Sequence, residues 1–215
     1  MSKFFNREKE IKELNAILSS EPTIIYFVYG PINSGKTALL NKVIENLSDS
    51  YRVFYINFRR IETRRYEDFL RALFEVKEEG LWEKIKNKSD LVAAAVEFGE
   101  KVARKINNSF VLPLDLMKTF LKKERLEGKD CFRYLENLMK YLVNKAKYPV
   151  LILDELQMLK EIKGNGLILH DLFNFLVAMT KETHLCHCFA ATSDCLFIEE
   201  IYSSAKLKGR ADTVF

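Results

Sequence analysis

Three features of the 215-residue chain predict an α/β domain of three layers built on a mostly parallel sheet. Continuous apolar runs recur at 23–29, 149–153 and 185–191, helical periodicity fills the stretches between them, and each run ends at glycine, acidic or hydroxyl residues. A strand covered by helices on both faces has no polar side, so its sequence reads as an unbroken apolar run. Strands alternating with helices then pair in parallel through right-handed crossovers. With 48% hydrophobic and 30% charged residues the composition is that of a folded domain, and the length suits one α/β domain carrying an insertion.

The elements follow in order. Ile11, Leu14, Ile17 and Leu18 stand at helical spacing behind Asn6, a good N-cap residue, and predict an amphipathic helix over 6–18. Thr23 to Tyr29 (TIIYFVY) predicts a buried central strand. Leu39, Leu40, Val43, Ile44 and Leu47 predict a helix over 36–47, and Tyr51 to Phe58 (YRVFYINF) a second strand. From about 60 to 147 the apolar spacing stays helical, with breaks near Gly80, Asn107, Pro113 and Gly128, which predicts a helical insertion. A strand at 149–153, a helix at 167–179, a strand at 185–191, a helix at 197–202 and the start of a last strand at 212–215 complete the pattern.

Gly30-Pro31-Ile32-Asn33-Ser34-Gly35-Lys36-Thr37 matches G-x-x-x-x-G-K-[ST], and it lies between a predicted strand and a predicted helix. Such a loop wraps polyphosphate because successive backbone N–H groups converge on it, with the positive end of the following helix behind them. In that reading Gly35 allows close backbone approach, Lys36 meets the β- and γ-phosphates of ATP, and the Thr37 hydroxyl ligates magnesium.

Pro149 to Leu153 ends in Asp154 and Glu155, so both carboxylates fall at the C-terminal tip of a buried strand, where parallel sheets bind ligands. Two acids there are costly without a cation. Asp154 suits the magnesium shell and Glu155 suits activation of a water, while a helix cap with a first-turn acid is the plainer alternative. Thr192-Ser193-Asp194 also follows a strand, where a hydroxyl can sense the γ-phosphate or Ser and Asp can cap the next helix. Arg210, after Gly209, is either a phosphate-directed guanidinium or an exposed turn residue.

Together these residues resemble the archaeal ATPase family, a branch of the P-loop NTPases related to the AAA+ and STAND classes. The resemblance covers nearly the whole chain: Phe5-Asn6-Arg7-Glu8-Lys9-Glu10-Ile11, the loop ending Ser34-Gly35-Lys36-Thr37, Leu153-Asp154-Glu155-Leu156-Gln157, Ser193 and Gly209-Arg210. It implies a P-loop NTPase fold in which the strand before Ser193 separates the acid strand from the phosphate-loop strand. It implies that Arg7 lies near the adenine, that Ser193 is the sensor and that Arg210 approaches the γ-phosphate. Relatives usually carry glycine where Thr192 stands, and they commonly continue into a winged-helix domain that this sequence does not reach. The expected activity is magnesium-dependent ATP hydrolysis driving a conformational or assembly cycle. A nucleotide-gated switch with little turnover and a DNA-associated initiator or loader are the alternatives.

Other signals bound the function. No apolar run reaches the length that spans a bilayer and the N-terminus is charged, so a cytoplasmic protein without a membrane partner is expected. Four cysteines, Cys131, Cys186, Cys188 and Cys195, are expected to be free thiols. A net charge of +4 permits a nucleic-acid partner without arguing for one, and a protein partner or self-assembly is equally open. His184, Cys186, His187, Cys188 and Cys195 include metal-capable groups, but strand alternation sends neighbours to opposite faces, away from a single zinc. The basic run from Arg59 to Arg65 suits a solvated loop or a phosphate contact, and 110–120 suits a docking segment or packing onto the sheet.

Overall fold

The protein is described by a computed structural model covering residues 7–59, 128–161, 166–203 and 209–214. The elements in chain order are α1 (Glu8–Leu18), β1 (Ile25–Tyr29), α2 (Lys36–Glu45), β2 (Tyr51–Asn57), α3 (Gly128–Asn144), β3 (Tyr148–Asp154), a 3-10 turn (Leu156–Glu161), α4 (Gly166–Val177), a π turn (Ala178–Glu182), β4 (His187–Thr192), α5 (Cys195–Ser203) and β5 (Ala211–Val214).

The five strands form one sheet in the order β2-β3-β4-β1-β5, and every pairing is parallel. The acid strand β3 and the phosphate-loop strand β1 are separated by β4, as the family resemblance implies. Alternation within each strand divides the core in two. Ile25 and Phe27 of β1, Leu151 and Leu153 of β3, and Cys188 and Ala190 of β4 pack with α3, α4 and α5. Val28, Val150, Ile152, Phe189 and Ala191 point the other way and pack with Leu14 and Leu18 of α1 and Leu39, Leu40 and Val43 of α2. Both faces of β3 and β4 are therefore buried, which is the physical reason that their sequences show no polar alternation.

Several boundaries differ from the sequence reading. Helix α1 begins at Glu8, with Arg7 as its N-cap and no side-chain cap bond, while Asn6 lies outside the described residues. Glu8 and Glu10 in the first turn place negative charge at the positive end of the helix, the electrostatic substitute for a cap. The helical insertion read over 60–147 lies outside the described residues as far as 127, as do Arg60 to Arg65 and the 110–120 segment; Gly128–Asn144 is helix. Cys186 and Cys188 are buried free thiols, and burial pushes the Cys186 thiol up to about 12. His187 faces the α1–α2 side of the sheet whereas Cys186 and Cys188 face the other, so alternation keeps them apart. No described helix is long and apolar enough to cross a membrane.

Candidate functional site

The C-terminal tips of β1, β3 and β4 and the N-terminus of α2 converge on one edge of the sheet. Gly30 follows the last residue of β1 and Lys36 opens α2, so the intervening loop is a strand-to-helix turn. Asn33 and Gly35 have φ of 64° and 84°, in the left-handed region, and this reverses the chain into the helix. Within the protein a Cβ at Gly35 would meet nothing within 4 Å, so its positive φ is what requires glycine there. At Gly30 the constraint is steric, since a Cβ would lie 2.8 Å from Ser34 Oγ. Pro31, Ile32 and Asn33 form the exposed rim of the loop.

Lys36 Nζ donates to the carbonyls of Gly30 at 2.7 Å and Pro31 at 2.9 Å, so its ammonium is carried across the mouth of the loop. Partial burial lowers its pKa, and the carboxylates of Glu155 and Asp154 oppose that shift. Arg7 braces the loop from outside: its guanidinium donates to Ser34 O at 2.6 Å and pairs with Glu10 at 2.7 Å. Arg7, Val28, Tyr29, Gly30, Ser34 and Lys36 line a cavity of about 260 Å³ beside the loop.

Asp154 is fully buried at the end of β3. It shares the α2 face of the sheet with Val150 and Ile152, and its Oδ2 accepts from Thr37 Oγ1 at 2.7 Å. Two side chains of the neighbouring strand also donate to Oδ2: Tyr55 Oη at 2.5 Å and Asn57 Nδ2 at 3.3 Å. The β2–β3 register pairs Asn57 with Asp154, so period two brings Tyr55 to the same face. Burial and the adjacent Asp154 carboxylate both raise the Tyr55 phenol, which stays a donor. A half-buried hydroxyl beside a buried carboxylate at a phosphate loop is the oxygen-only donor set that magnesium takes, one or two protein oxygens with the rest from phosphate and water. Thr37 and Asp154 fit that ion.

Glu155 adopts φ of 58°, unusual for a residue with a Cβ, and turns the chain out of β3. Its Oε2 accepts from Arg59 at 2.8 Å and from Gln157 Nε2 at 2.7 Å. The same amide donates to Ser193 Oγ at 3.0 Å, and its oxygen accepts from Thr192 Oγ1 at 2.8 Å. Asp194 caps α5 by accepting from Phe197 N at 3.0 Å, so the capping alternative for this segment holds for Asp194 while Ser193 points into the site network.

Arg210 is elsewhere. Its carbonyl accepts from Ile25 N at 3.1 Å and β5 pairs Ala211 with Ile25, so it precedes a parallel strand at the end of the sheet opposite the phosphate loop. Five residues of β1 separate that level from Gly30, about 16 Å at strand rise, more than an arginine side chain spans. The expected approach of Arg210 to the γ-phosphate is therefore corrected for the single chain. Three residues that sequence reasoning left without a role, Tyr55, Asn57 and Gln157, take part in the site, as does Arg59 from the basic run; strand register was the signal for the first two.

The family model of the ATPase domain found predominantly in Archaea matches residues 4–215. Among similar proteins, an ATP-binding protein of Methanocaldococcus jannaschii is 46% identical over 214 residues, covering 99% of this chain and 58% of the relative. Another from the same organism is 47% identical over 213 residues, covering 97% and 55%, and one from Pyrococcus abyssi is 42% identical over 209 residues, covering 97% and 59%. The chain thus spans less than two thirds of the length of these relatives. Among solved structures, a Walker-type ATPase of Pyrococcus abyssi superposes with a TM-score of 0.62 at 18% identity, covering 99% of this chain and 54% of that one. The ORC2 protein of Aeropyrum pernix superposes at 0.59 with 13% identity, covering 99% and 47%. At those identities the structures establish a shared P-loop ATPase fold, and the sequence matches establish more: the chain belongs to the archaeal ATPase-domain family.

Proposed function

We propose that the chain binds ATP with magnesium at the Gly30–Thr37 loop and hydrolyses it, using turnover to drive a conformational or assembly cycle. The observation that carries this reading is the 2.7 Å bond between Thr37 and Asp154, which joins the start of α2 to the tip of β3. It brings a hydroxyl and a carboxylate oxygen suited to magnesium together at the mouth of the phosphate loop. The loop's backbone N–H groups and Lys36 would hold the phosphates, with the positive end of α2 behind them. Thr37 and Asp154 would hold magnesium, which supplies charge neutralisation at the β- and γ-oxygens. Glu155 would accept the proton of the attacking water, Ser193 would contact the γ-phosphate, and Arg7 would stand beside the base. Arg210 can act only on the nucleotide of another subunit.

Titration of a labelled ATP analogue tests the binding half. Lys36→Ala removes a charge-assisted contact worth about 1.5–3 kcal/mol, so affinity falls by one to two decades. Unchanged affinity sinks the phosphate-loop assignment. Glu155→Gln tests the chemical half: binding persists and hydrolysis slows by about two to four decades.

A second reading, a nucleotide-gated switch with little turnover, draws support from Glu155 itself. Its Oε2 is engaged by both Arg59 and Gln157. Turnover of the wild-type chain decides between the two. A DNA-associated role draws only on the fold likeness to an ORC protein and a charge of +4; salt-dependent DNA binding would favour it.

A further inference from the structure

Glu155 is held by two donors of different character. Arg59 reaches it with a side chain that is 55% exposed, and such pairs position weakly because solvent screens them and the long side chain loses freedom. Gln157 is a neutral donor on the turn that follows, and it is anchored at its other end. Thr192, fully buried at the tip of β4 and in register with Tyr29 of β1, donates to Gln157 Oε1 at 2.8 Å. The Thr192 oxygen in turn accepts from Asp194 N at 3.2 Å.

These contacts fix which way the amide points. An amide has unlike ends, and the 2.7 Å contact with the Glu155 carboxylate admits only the N–H end, since oxygen against oxygen would repel. With the orientation set by Glu155, the Thr192 hydroxyl delivers its proton to the other end and holds the amide there. The NH2 group is then divided between Glu155 and Ser193 at 2.7 and 3.0 Å. A rigid strand tip, a hydroxyl, an amide and the carboxylate form one chain of hydrogen bonds, and Ser193 is tied to the carboxylate through a single nitrogen.

We infer that Gln157, anchored by the Thr192 hydroxyl, is the positioning residue that aims the Glu155 carboxylate and couples it to Ser193. The inference rests on the reading of Glu155 as the base. A carboxylate swinging about its own side chain would spend little time aligned with a water, and misplacement of a reacting group by about 1 Å can cost about a hundredfold in rate. The amide confines that swing without adding a charge that would compete with the proton it must accept. Threonine at 192 supplies a hydroxyl, where glycine would leave the Gln157 oxygen without this donor and the amide held at its nitrogen end alone.

Single-turnover ATP hydrolysis, read beside the affinity of a non-hydrolysable ATP analogue, tests this on the whole chain. Gln157→Glu keeps the size of the side chain but sets an acceptor against the Glu155 carboxylate. Its hydrolysis step falls by about a hundredfold while analogue affinity holds. Thr192→Val slows the step and Thr192→Ser restores it. Added to Gln157→Glu, Thr192→Val slows nothing further, because both act through one amide. An activity-independent readout accompanies these: the side-chain amide protons of Gln157, followed by NMR in the nucleotide-free protein, lose their dispersion in Thr192→Val and keep it in Thr192→Ser. Gln157→Glu at the wild-type rate overturns the inference, and so does slowing matched by equal loss of analogue affinity, which marks general damage. Additive slowing in the double variant overturns the part given to Thr192. A wild-type chain that binds ATP but never hydrolyses it overturns the reading of Glu155 as base, and this inference with it.

Discussion

The Thr37 hydroxyl donates to the Asp154 carboxylate across 2.7 Å, linking residues 117 positions apart in the chain. Asp154 has no exposure, and its Oδ1 also accepts the backbone N–H of Glu155 at 3.0 Å. A buried carboxylate with this many donors is aimed and costly to remove.

Asp154→Ala orphans the hydroxyls of Thr37 and Tyr55 and the amide of Asn57. Leaving a donor unpaired costs about 1–3 kcal/mol where it is buried, and these three are half-buried, so chemical denaturation should show a loss of about that size. The gain in nucleotide affinity that magnesium gives should vanish as well. Tyr55→Phe is the milder probe, removing one donor and keeping the ring. It should lower magnesium affinity by about tenfold, measured by manganese binding to the analogue complex, and leave affinity in chelator unaltered. Equal losses with and without metal would leave Tyr55 no part in holding Asp154.

The two loop glycines should respond differently to alanine. Gly35→Ala forces a Cβ into the left-handed region at φ 84°, a cost of about 1–2 kcal/mol, and should weaken analogue binding as the loop relaxes. Gly30→Ala meets only Ser34 Oγ at 2.8 Å, the end of a small side chain that can rotate. Its melting temperature should fall less than that of Gly35→Ala. The reverse order would refute the conformational account of this loop.

His187 sets an acid limit. It is buried at the start of β4, and desolvation lowers its pKa to about 4, with a backbone contact to Ser20 offsetting part of the shift. In the unfolded chain the ring titrates near its ordinary value of about 6.5, so between those values the unfolded state binds more protons. Stability is therefore complete above that range and falls as pH drops through it, by roughly 3 kcal/mol in all from this residue. Urea unfolding at pH 7 and at pH 4.5 measures the slope. His187→Phe should flatten it, and an equally steep slope in that variant would assign the acid sensitivity to other groups.

Arg210→Ala should leave analogue affinity and dilute-solution turnover at wild-type values, because Arg210 stands at the far end of the sheet. Turnover that rises with protein concentration in the wild type and not in Arg210→Ala would reveal a role across a subunit boundary. A slow variant at every concentration would contradict the placement of β5.

The division between what the sequence revealed and what it withheld follows from range. The unbroken apolar runs of β1, β3 and β4 come from covering helices on both faces, a property each strand carries within itself. The phosphate loop and the acid pair are likewise local strings. Tyr55 and Asn57 were hidden because their role depends on β2 lying beside β3, and strand order is not written in any one segment. Gln157 stood in a quoted motif without a partner, since its partners Thr192 and Ser193 come from a different strand. Arg210 shows the opposite failure. A residue just before a parallel strand lies at the end away from the ligand, so the predicted last strand already spoke against the role that resemblance suggested.

Glu155 holds φ of 58°, a conformation that glycine adopts freely and a residue with a Cβ does not. A chain shaped only by the need to fold would favour glycine at this position, so if Glu155 is the proposed base, 155 is a place where fitness for folding and fitness for chemistry pull apart. Selection for heat resistance alone, with activity unmonitored, would drift toward Glu155→Gly and yield a sturdier protein that had lost its carboxylate.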